Sequence, residues 1–519
     1  MQPALPPSPR GRRSLLPWLC LAPIVAHAAT RELWAPDEPR YAQVARELVE
    51  RGDWLVLHLN GSLYPSKPPL VFWLAALGGS LAGWSELALR LPSLLATVGS
   101  AWLVARLARR FWGEREAGWG IALYLSTALC TWLGGRLALD PALAFFCLAS
   151  VAFAIEAGSA GRREVPLLAL AGLCAGLGAL AKGPVAWLHL GLASAAVLAL
   201  PRGARGGWSR SRPGWALFAL LTVAPVAVWA TAASLAEPTL WEPLFWGQHL
   251  GRVAEAHEHR RSFGYHLVNQ PLELLPWTFL LLAAFARAWR ARRAIAAGRA
   301  VEEHAPGDRP LVWLAAWIAL SLVVFSAIPV KRELYLFPVY PAAALVAARE
   351  LAIAQRRGSL SRWVCEPTLA VALLAAGAAN ATLALRRGHV GRWAAGLLAG
   401  FGAAAVTLGL ALPPAANGLL SAREVAEVVA ARPERPREIP CLGVQPEGYR
   451  FYGGVPAVRV ETLDEVLAAL EREGPRFLAL MRGESFDSLP AELRARLVVH
   501  HASEVGSREV VVLGARPGG

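Results

Sequence analysis

The sequence predicts an all-α, polytopic membrane protein that ends in a small α/β domain, and three observations lead to this fold class. Of the 519 residues, 55% are hydrophobic and only 17% are charged, with a mean hydropathy of +0.39, which is too apolar for an ordinary soluble protein. Apolar stretches near the length of about 20 residues that a membrane-spanning helix needs recur from residue 14 to residue 412. Beyond residue 421 the chain is charged and interrupted by prolines.

About twelve spans are predicted on this length criterion, and several of them are short or contain Gly and Pro. They form one multi-span domain over residues 14–412, which follows a basic N-terminus at 1–13. We expect the first span to be an anchor, because "AHAAT" before Arg31 is a poor signal-peptide cleavage site. The apolar stretches lie near 14–29, 91–111, 117–134, 140–157, 164–181, 184–200, 215–233, 271–289, 311–328, 335–351, 363–385 and 391–412.

The basic residues behind the net charge of +14 collect in alternate connections between these spans. Lys and Arg accumulate in cytoplasmic loops, so these connections and the N-terminus are expected inside. The connections 30–90 and 234–270 carry both signs and are expected to be outer loops. Membrane topology therefore accounts for the charge without a nucleic-acid partner. The basic runs lie at 10–13, 105–110, 161–163, 201–212 and 287–293.

Residues 421–519 are predicted to form the small soluble α/β domain, because β-like runs alternate with a helical pattern at 462–473. Twelve spans would place this domain inside, but Arg386, Arg387 and Arg392 would then lie outside, against the charge rule. An odd number of spans removes the conflict, and we favour an outer location. The β-like runs are 439–444, 455–460, 477–481, 497–500 and 510–513.

Neither the cysteines nor the histidines predict a metal site. The six cysteines contain no CxxC pair, which argues against a disulfide framework and a thiolate site. Four histidines share residues 249–266, but two of them are spaced i, i+2 and do not share a helix face. We therefore expect no cofactor and no metal, with a divalent ion left open.

A glycine pair is the other motif of the membrane part. Gly172 and Gly176 in "GLCAGLGAL" are four residues apart. Small residues at this spacing favour close helix packing over a phosphate-binding loop.

The first outer connection contains the stretch "WAPDEPRYAQVARELVERGDW", residues 34–54, with Asp37, Glu38 and Arg40 side by side. An acid before Pro39 is typical of a helix start, and apolar residues at helical spacing follow, so an amphipathic outer helix is predicted. Two interpretations are open on these residues alone. The acids either cap that helix or belong to a catalytic site.

Every other predicted outer turn also carries ionisable residues at the membrane boundary, where they are costly and are candidates for function. Snorkelling anchors would explain the Lys and Arg residues but not Asp37 and Asp140. The other charged or polar residues of these turns are Lys67, Arg136, Lys182, Lys331, Arg332, Glu333 and Tyr335.

These residues form two chemical groups. Arg40, Lys67, Lys182 and Lys331 could neutralise a phosphate or diphosphate at the interface through charge-assisted hydrogen bonds. Asp37, with Glu38 and Asp140, could act as a base or orient a hydroxyl. The combination favours transfer of a group that is carried on a lipid phosphate.

The first outer loop also resembles a known family. "APDEPRYAQVARELVERGDWLVLHLNGSLYPSKPPLVFWLAAL" followed by "ELALRLPS" is similar to that loop in the membrane glycosyltransferases related to lipid A aminoarabinose transferase, and more distantly in the protein O-mannosyltransferases. "GRLALDPALAFF", "GLCAGLGALAKGPVAW" and "KRELYLFPVYP" match later motifs in the same order. The resemblance covers about residues 14 to 350.

The resemblance implies a GT-C fold, a polyprenyl-phosphate-linked sugar as donor, and a glycolipid, another glycan or a protein as acceptor. It also implies a bacterial inner-membrane protein with its active site on the periplasmic side. Asp37 would be the principal catalytic carboxylate, with Glu38 and Asp140. The residues that would bind the donor phosphate or line its cavity are Arg40, Lys67, Lys182, Tyr335 and Arg252.

One position departs from the family pattern. Residue 66 is Ser, where the aminoarabinose transferases carry Glu before "KPP". An acid there could contact the amine of aminoarabinose, so its replacement leaves the sugar unassigned.

A transporter or flippase for a lipid-linked or anionic solute is the alternative class. Transporters concentrate polar groups near the bilayer midplane, often within inverted repeats. Here no repeat is evident and the charged residues gather at one side. A scaffold for partner proteins would leave the carboxylates unexplained, so the sequence favours a transferase.

Overall fold

The structure is a computed structural model that describes residues 16–205, 209–240, 242, 261–297, 308–357, 416–506 and 508–516. Within these ranges the chain is mainly helical up to residue 357, and its longer strands all follow residue 438. A short hairpin, β1 (His58–Leu59) and β2 (Ser62–Leu63), interrupts the helices in the first outer connection.

Where both a helix and its following connection are described, the α-helices up to residue 357 are joined mainly by short turns and 3₁₀ segments. In chain order they are α1 (Ala22–Thr30), α2 (Asp37–Arg51), α3 (Leu70–Ala82), α4 (Glu86–Phe111), α5 (Glu114–Leu125), α6 (Ala128–Gly134), α7 (Asp140–Ala157), α8 (Glu164–Lys182), α9 (Val185–Ala195), α10 (Arg212–Ala236), α11 (Tyr265–Glu273), α12 (Thr278–Ala296), α13 (Asp308–Ala327) and α14 (Tyr340–Arg357).

Six helical segments in the described ranges are long and apolar enough to cross a membrane, and the pair α11–α12, bent by 114°, is a seventh candidate. The protein is therefore a multi-pass membrane protein. The six segments are Glu86–Phe111, Asp140–Ala157, Gly161–Lys182, Arg212–Ala236, Asp308–Ala327 and Glu333–Arg357.

Some predicted spans differ from the observed helices. The stretch at 117–134 is divided between α5 and α6, because Thr127 takes an extended backbone conformation between them. The stretches at 14–29 and 184–200 hold helical segments of only 10–17 residues, and the unpredicted α3 is equally short. The span predicted at 271–289 is displaced, since α12 begins at Thr278. The stretches at 363–385 and 391–412 lie outside the described residues.

Close packing of α8 on α10 confirms the interpretation of the glycine pair. A Cβ atom built on Gly172 would lie 2.3 Å from the carbonyl oxygen of Phe218, and one on Gly176 would lie 2.6 Å from that of Leu221. Any larger side chain would therefore separate the two helices.

Ion pairs tie the helices together at the end that carries the basic connections. Arg106 of α4 pairs with Glu156 near the end of α7. Arg349 and Arg356 of α14 donate to one oxygen of the buried Glu116 of α5, at 2.9 and 3.0 Å. Some of the basic residues at this end are therefore paired within the bundle. The predicted site lies at the opposite end.

After residue 420 the chain forms a five-stranded mixed sheet with helices. The strand order is β4-β3-β5-β7-β6, with parallel pairing of β3 to β4 and β5, and antiparallel pairing of β7 to β5 and β6. The elements are α15 (Arg423–Ala430), β3 (Ile439–Leu442), α16 (Glu447–Gly453), β4 (Ala457–Val460), α17 (Leu463–Glu473), β5 (Leu478–Arg482), α18 (Gly483–Asp487), α19 (Ala491–Ala495), β6 (Leu497–Glu504) and β7 (Glu509–Ala515).

This C-terminal region packs against the first outer connection. The hydroxyl of Tyr452 accepts a hydrogen bond from the backbone N–H of Leu33 at 2.8 Å and donates one to Glu86 at 3.1 Å. Arg46 of α2 donates to the carbonyl oxygen of Phe451 at 2.7 Å. The sheet therefore lies on the same side of the membrane as α2.

Candidate active site

Asp37 is the first residue of α2, and it does not cap the helix. The N-cap residue is Pro36, and no side chain makes a capping hydrogen bond there. Asp37 keeps its carboxylate for other partners at the positive end of the helix dipole. Of the two interpretations of the acidic pair, the geometry of Asp37 favours the catalytic one.

Two arginines face the Asp37 carboxylate. Arg332 Nη2 donates a hydrogen bond to Asp37 Oδ2 at 3.2 Å, and Arg40 Nη1 lies 3.8 Å from Asp37 Oδ1. All three side chains are partly exposed, by 22% for Asp37, 27% for Arg40 and 36% for Arg332. Burial lowers the pKa of Arg332, but Asp37 together with Tyr41 and Glu333 outweighs that effect, so the pKa is raised. The result is a carboxylate between two permanent cations that a ligand can reach.

Tyr41 stands one turn further along α2 and is buried, with 8% exposure. Its ring meets the edge of Phe72 at 5.5 Å between centroids. Burial and the nearby Asp37, Tyr64 and Asp140 raise the pKa of Tyr41 well above its ordinary value. Tyr41 therefore stays a neutral phenol within electrostatic range of both carboxylates.

A second group of predicted residues meets where α7 begins and α8 ends. Lys182, the last residue of α8, donates a hydrogen bond to Asp140, the first residue of α7. The Lys182 Nζ atom also lies 5.6 Å from the centre of the Tyr335 ring. His189 supports this arrangement, since its Nε2 lies 3.1 Å from the Tyr335 carbonyl oxygen. Asp140, Lys182 and Tyr335 therefore lie together in one cluster, and their roles in the site stay predictions.

Lys67 lies half-buried in the turn between the hairpin and α3. The hairpin is fixed to α2 through Glu47, which accepts hydrogen bonds from the backbone N–H groups of Asn60 at 2.7 Å and Gly61 at 3.0 Å. Asn60 and Gly61 have φ values of 55° and 82°, which suits the Asn-Gly turn of a tight hairpin. The path of the loop that carries Lys67 is thereby set by α2.

Glu38 occupies a different place from the one the sequence predicts for it. It is fully buried, accepts hydrogen bonds from Arg31 and from Arg90 Nε at 3.0 Å, and lies 3.9 Å from Arg136. Burial raises the pKa of Glu38, but these arginines outweigh it and hold the pKa well below its ordinary value. We correct the catalytic assignment of Glu38, because a carboxylate enclosed by arginines serves to hold the loop in place.

Of two further predicted cations, Lys331 makes its described hydrogen bond outside this site, and Arg252 has no described position. Lys331 is 3% exposed and donates to the carbonyl oxygen of Arg261 at 3.0 Å, away from Asp37. Arg252 lies outside the described residues. His266 is described, but the other three histidines of its stretch are not.

The site contains two residues to which the sequence assigned no role, Arg332, which was named only as a charged residue of its turn, and Glu447. Arg332 occupies the place expected for its neighbour Lys331. Glu447 of α16 lies 3.7 Å from Arg40. The order "KRE" at 331–333 gives no means to choose between the two cations, and nothing in the sequence points to Glu447.

Among the residues with described positions, no group of three or more His, Cys, Asp or Glu side chains could hold a metal ion. The arrangement instead offers a carboxylate, two guanidinium groups and an ammonium group at one end of a helical bundle. Guanidinium groups bind phosphate oxygens in fixed geometry, and a carboxylate beside them can accept a proton or orient a hydroxyl.

Comparisons with known proteins agree with this chemistry. Residues 66–229 match the family described as dolichyl-phosphate-mannose-protein mannosyltransferase. The undecaprenyl phosphate-alpha-4-amino-4-deoxy-L-arabinose arabinosyl transferase of Pseudomonas aeruginosa is 33% identical over 344 residues, which is 65% of this chain and 58% of that protein. Its counterpart in Sodalis glossinidius is 35% identical over 325 residues, with 61% and 55% coverage. The chain thus aligns with less than two thirds of these relatives.

Solved structures share the fold. ArnT from Cupriavidus metallidurans bound to undecaprenyl phosphate matches with a TM-score of 0.72 at 23% identity, over 97% of this chain and 98% of that one. The archaeal oligosaccharyltransferase AglB from Archaeoglobus fulgidus matches with a TM-score of 0.53 at 10% identity, over 90% and 69%. These matches confirm the fold that the sequence analysis expected.

Proposed function

We propose that this protein is an integral membrane glycosyltransferase that moves a sugar from a polyprenyl-phosphate donor to an acceptor at the outer face of the membrane. The observation that carries the proposal is the position of Asp37 between Arg332 and Arg40, at the outer end of the bundle. The likeness of the chain to undecaprenyl-phosphate sugar transferases over residues of the same region supports it.

In the proposed reaction the donor phosphate lies against the guanidinium groups of Arg40 and Arg332 and near Lys67. These cations stabilise the negative charge that accumulates on the phosphate as the bond to the sugar breaks. Asp37 stands on the acceptor side, where it accepts the proton of an attacking hydroxyl or orients the acceptor. Lys182, Asp140 and Tyr335 line the cavity next to this centre.

The donor sugar and the acceptor follow less directly from the residues. The named relatives transfer an aminoarabinose, but Ser66 supplies no carboxylate for an amine. We therefore propose a pentose or hexose without assigning its substituents. A glycolipid such as lipid A, another glycan and a protein hydroxyl are the acceptor classes to be compared.

We further propose that the protein resides in a bacterial inner membrane with this site on the periplasmic side. The basic connections support that orientation through the charge rule. Residues 421–519 would then form a periplasmic α/β domain, and the membrane part over 14–412 would contain an odd number of spans near the predicted twelve. The contact of Asn417 Oδ1 with the backbone N–H of Glu32, at 3.1 Å, supports this side.

Reconstitution into sealed vesicles with a radiolabelled polyprenyl-phosphate sugar tests the proposal. A transferase will break the sugar–phosphate bond and release polyprenyl phosphate when an extract of lipid and glycan acceptors is present. A flippase will move the intact lipid between leaflets without cleavage. Translocation of uncleaved donor at a rate that exceeds transfer would overturn the proposal in favour of the alternative class.

A further inference from the structure

The C-terminal domain supplies one side chain to the surroundings of the candidate active site. Arg40 Nε lies 3.7 Å from Glu447 Oε1, while its Nη1 lies 3.8 Å from Asp37 Oδ1. Both separations exceed hydrogen-bond length. The Arg40 guanidinium thus stands between two carboxylates without being bound tightly to either, and its N–H groups can turn to a phosphate.

Glu447 is held firmly in this position. It is 7% exposed, and its Oε2 atom is buried without a hydrogen-bond partner among the described residues. The helix that carries it, α16, is fixed to the first outer connection through the hydrogen bonds of Phe451 and Tyr452. A buried carboxylate with an unmatched oxygen is costly, so its retention beside Arg40 calls for a role.

The charges around the donor phosphate explain what this role is. Asp37 and Glu447 carry two negative charges, and Arg40, Arg332 and the nearby Lys67 carry three positive ones. An incoming phosphodiester carries one negative charge, and the polyprenyl phosphate left after transfer carries close to two. Without Glu447 the net positive charge of this group would rise from one to two, and because the product carries more negative charge than the donor, the group would retain the product still more strongly.

We propose that Glu447 is a positioning residue that holds Arg40 in a shared ion pair and so weakens the grip of the site on polyprenyl phosphate, which allows the product to leave. This inference rests on the proposed function, since it concerns the phosphate of the same donor. It gives the C-terminal domain a direct part in turnover. When phosphate binds, Arg40 exchanges its contact with Glu447 for one with phosphate oxygens, and the exchange reverses on release.

The experiment measures binding of undecaprenyl phosphate, without sugar, to the full-length protein in detergent. Glu447→Gln keeps the size of the side chain and removes its charge. We expect this variant to bind about twofold to fivefold more tightly, as suits one partly exposed ion pair. Glu461→Gln, on the exposed surface of the same domain, is the matched control and should bind like the unaltered protein.

A double-mutant cycle with Arg40→Gln tests whether the effect passes through Arg40. In the Arg40→Gln background the Glu447→Gln change should no longer tighten binding. Glu447→Asp, which restores the charge, should return the affinity towards that of the unaltered protein. Under steady state, Glu447→Gln should lower the donor KM and increase inhibition by undecaprenyl phosphate, whereas a merely structural defect would raise KM or reduce kcat alone.

The outcomes separate the two proposals. Weaker or unchanged binding in Glu447→Gln, or the same effect with and without Arg40, would overturn the role of Glu447 while leaving the transferase assignment in place. Failure of the unaltered protein to bind undecaprenyl phosphate would overturn the proposed function and this inference with it. Thermal unfolding of each variant checks that the C-terminal domain remains docked.

Discussion

Arg332 donates a hydrogen bond to Asp37 across 295 residues of sequence, at 3.2 Å between Arg332 Nη2 and Asp37 Oδ2. The contact joins the turn before α14 to the first residue of α2, and so brings together two connections that are distant in the chain. It also selects Arg332 over Lys331 as the cation that faces the carboxylate.

Replacement of Arg332 with Gln should weaken donor binding. A hydrogen bond from a charged donor contributes about 1.5–3 kcal/mol, which corresponds to a loss of roughly tenfold to a hundredfold in affinity. Titration with undecaprenyl phosphate measures the change. Arg309→Gln, at an exposed position at the other end of the bundle, serves as control. Equal affinities in all three proteins would remove Arg332 from the phosphate site.

Asp37→Asn should leave donor binding largely intact and reduce turnover by about a hundredfold or more, because the change removes a base or a charge that acts in the transition state. Asn preserves the shape of the side chain and would satisfy a helix cap equally well. Glu50→Gln, on the exposed face of the same helix, controls for loss of an acid from α2. Normal single-turnover rates in a well-folded Asp37→Asn protein would contradict the catalytic role.

Strands and helices that depend on local sequence are predicted well for this protein. Each of the five β-like runs after residue 438 overlaps a strand in the structure, because alternation and β-branched residues are local signals. The outer helix at Asp37 follows from its first-turn acids, its proline and its apolar spacing. The proximity of Asp140, Lys182 and Tyr335 was expected only from the family resemblance, because the residues alone marked them as charged or polar groups at a lipid boundary and did not show that they meet.

Features of the site that depend on contacts between distant segments could not be predicted from the sequence. The choice between Lys331 and Arg332 depends on how one turn faces α2, which adjacent cations in the sequence do not reveal. Glu38 carries the same charge as Asp37 and is its neighbour, yet the helical rotation of about 100° between them directs it into an arginine cluster formed by distant segments. Glu447 approaches Arg40 only because the C-terminal sheet docks on the first outer connection.

Glu38→Gln should destabilise the protein rather than alter its chemistry. Removal of one partner from a buried ion pair leaves uncompensated charges, here on Arg31 and Arg90, and typically costs about 3–5 kcal/mol. Chemical or thermal unfolding in detergent measures the loss, with Glu50→Gln as the exposed control. The folded fraction should retain donor binding, and a stable but inactive Glu38→Gln protein would restore the catalytic assignment.

The pKa shift of Glu38 adds a pH dependence to that prediction. Its pKa is lowered in the folded protein, so its stabilisation is present above the ordinary carboxyl range near pH 4.3 and is lost as pH falls towards the folded value. Unfolding curves of the unaltered protein should therefore show a decline in stability at acid pH. Glu38→Gln should show less of that decline, and an identical acid limb in both proteins would contradict the assignment.

Gly172→Ala should loosen the packing of α8 on α10. The added Cβ would lie 2.3 Å from the carbonyl oxygen of Phe218, so the helices must separate. Overpacking of this kind costs about 1–3 kcal/mol. Gly191→Ala in α9 is the matched control, because a Cβ there meets no atom within 4 Å. Thermal unfolding should show a lower midpoint for Gly172→Ala alone, and equal midpoints would contradict the tight contact.

Orientation in the membrane gives the last prediction. If the basic connections face the cytoplasm, single cysteines introduced at Ser62, Ser262 and Ser488 should react with an impermeant thiol reagent in cells with a permeable outer membrane and an intact inner membrane. A cysteine at Ser159, beside the basic run 161–163, should react only after the inner membrane is opened.

All four positions are exposed, so a lack of reaction reflects the membrane barrier and not burial. The protein without an introduced cysteine supplies the background from its six native thiols. Ser488 reports the side of the membrane on which the C-terminal sheet lies. Because the C-terminal region packs on α2 through Phe451, a cysteine at Ser488 should react like one at Ser62. Protection of Ser62 and Ser488 together with labelling of Ser159 would invert the topology and remove the site from the outer face.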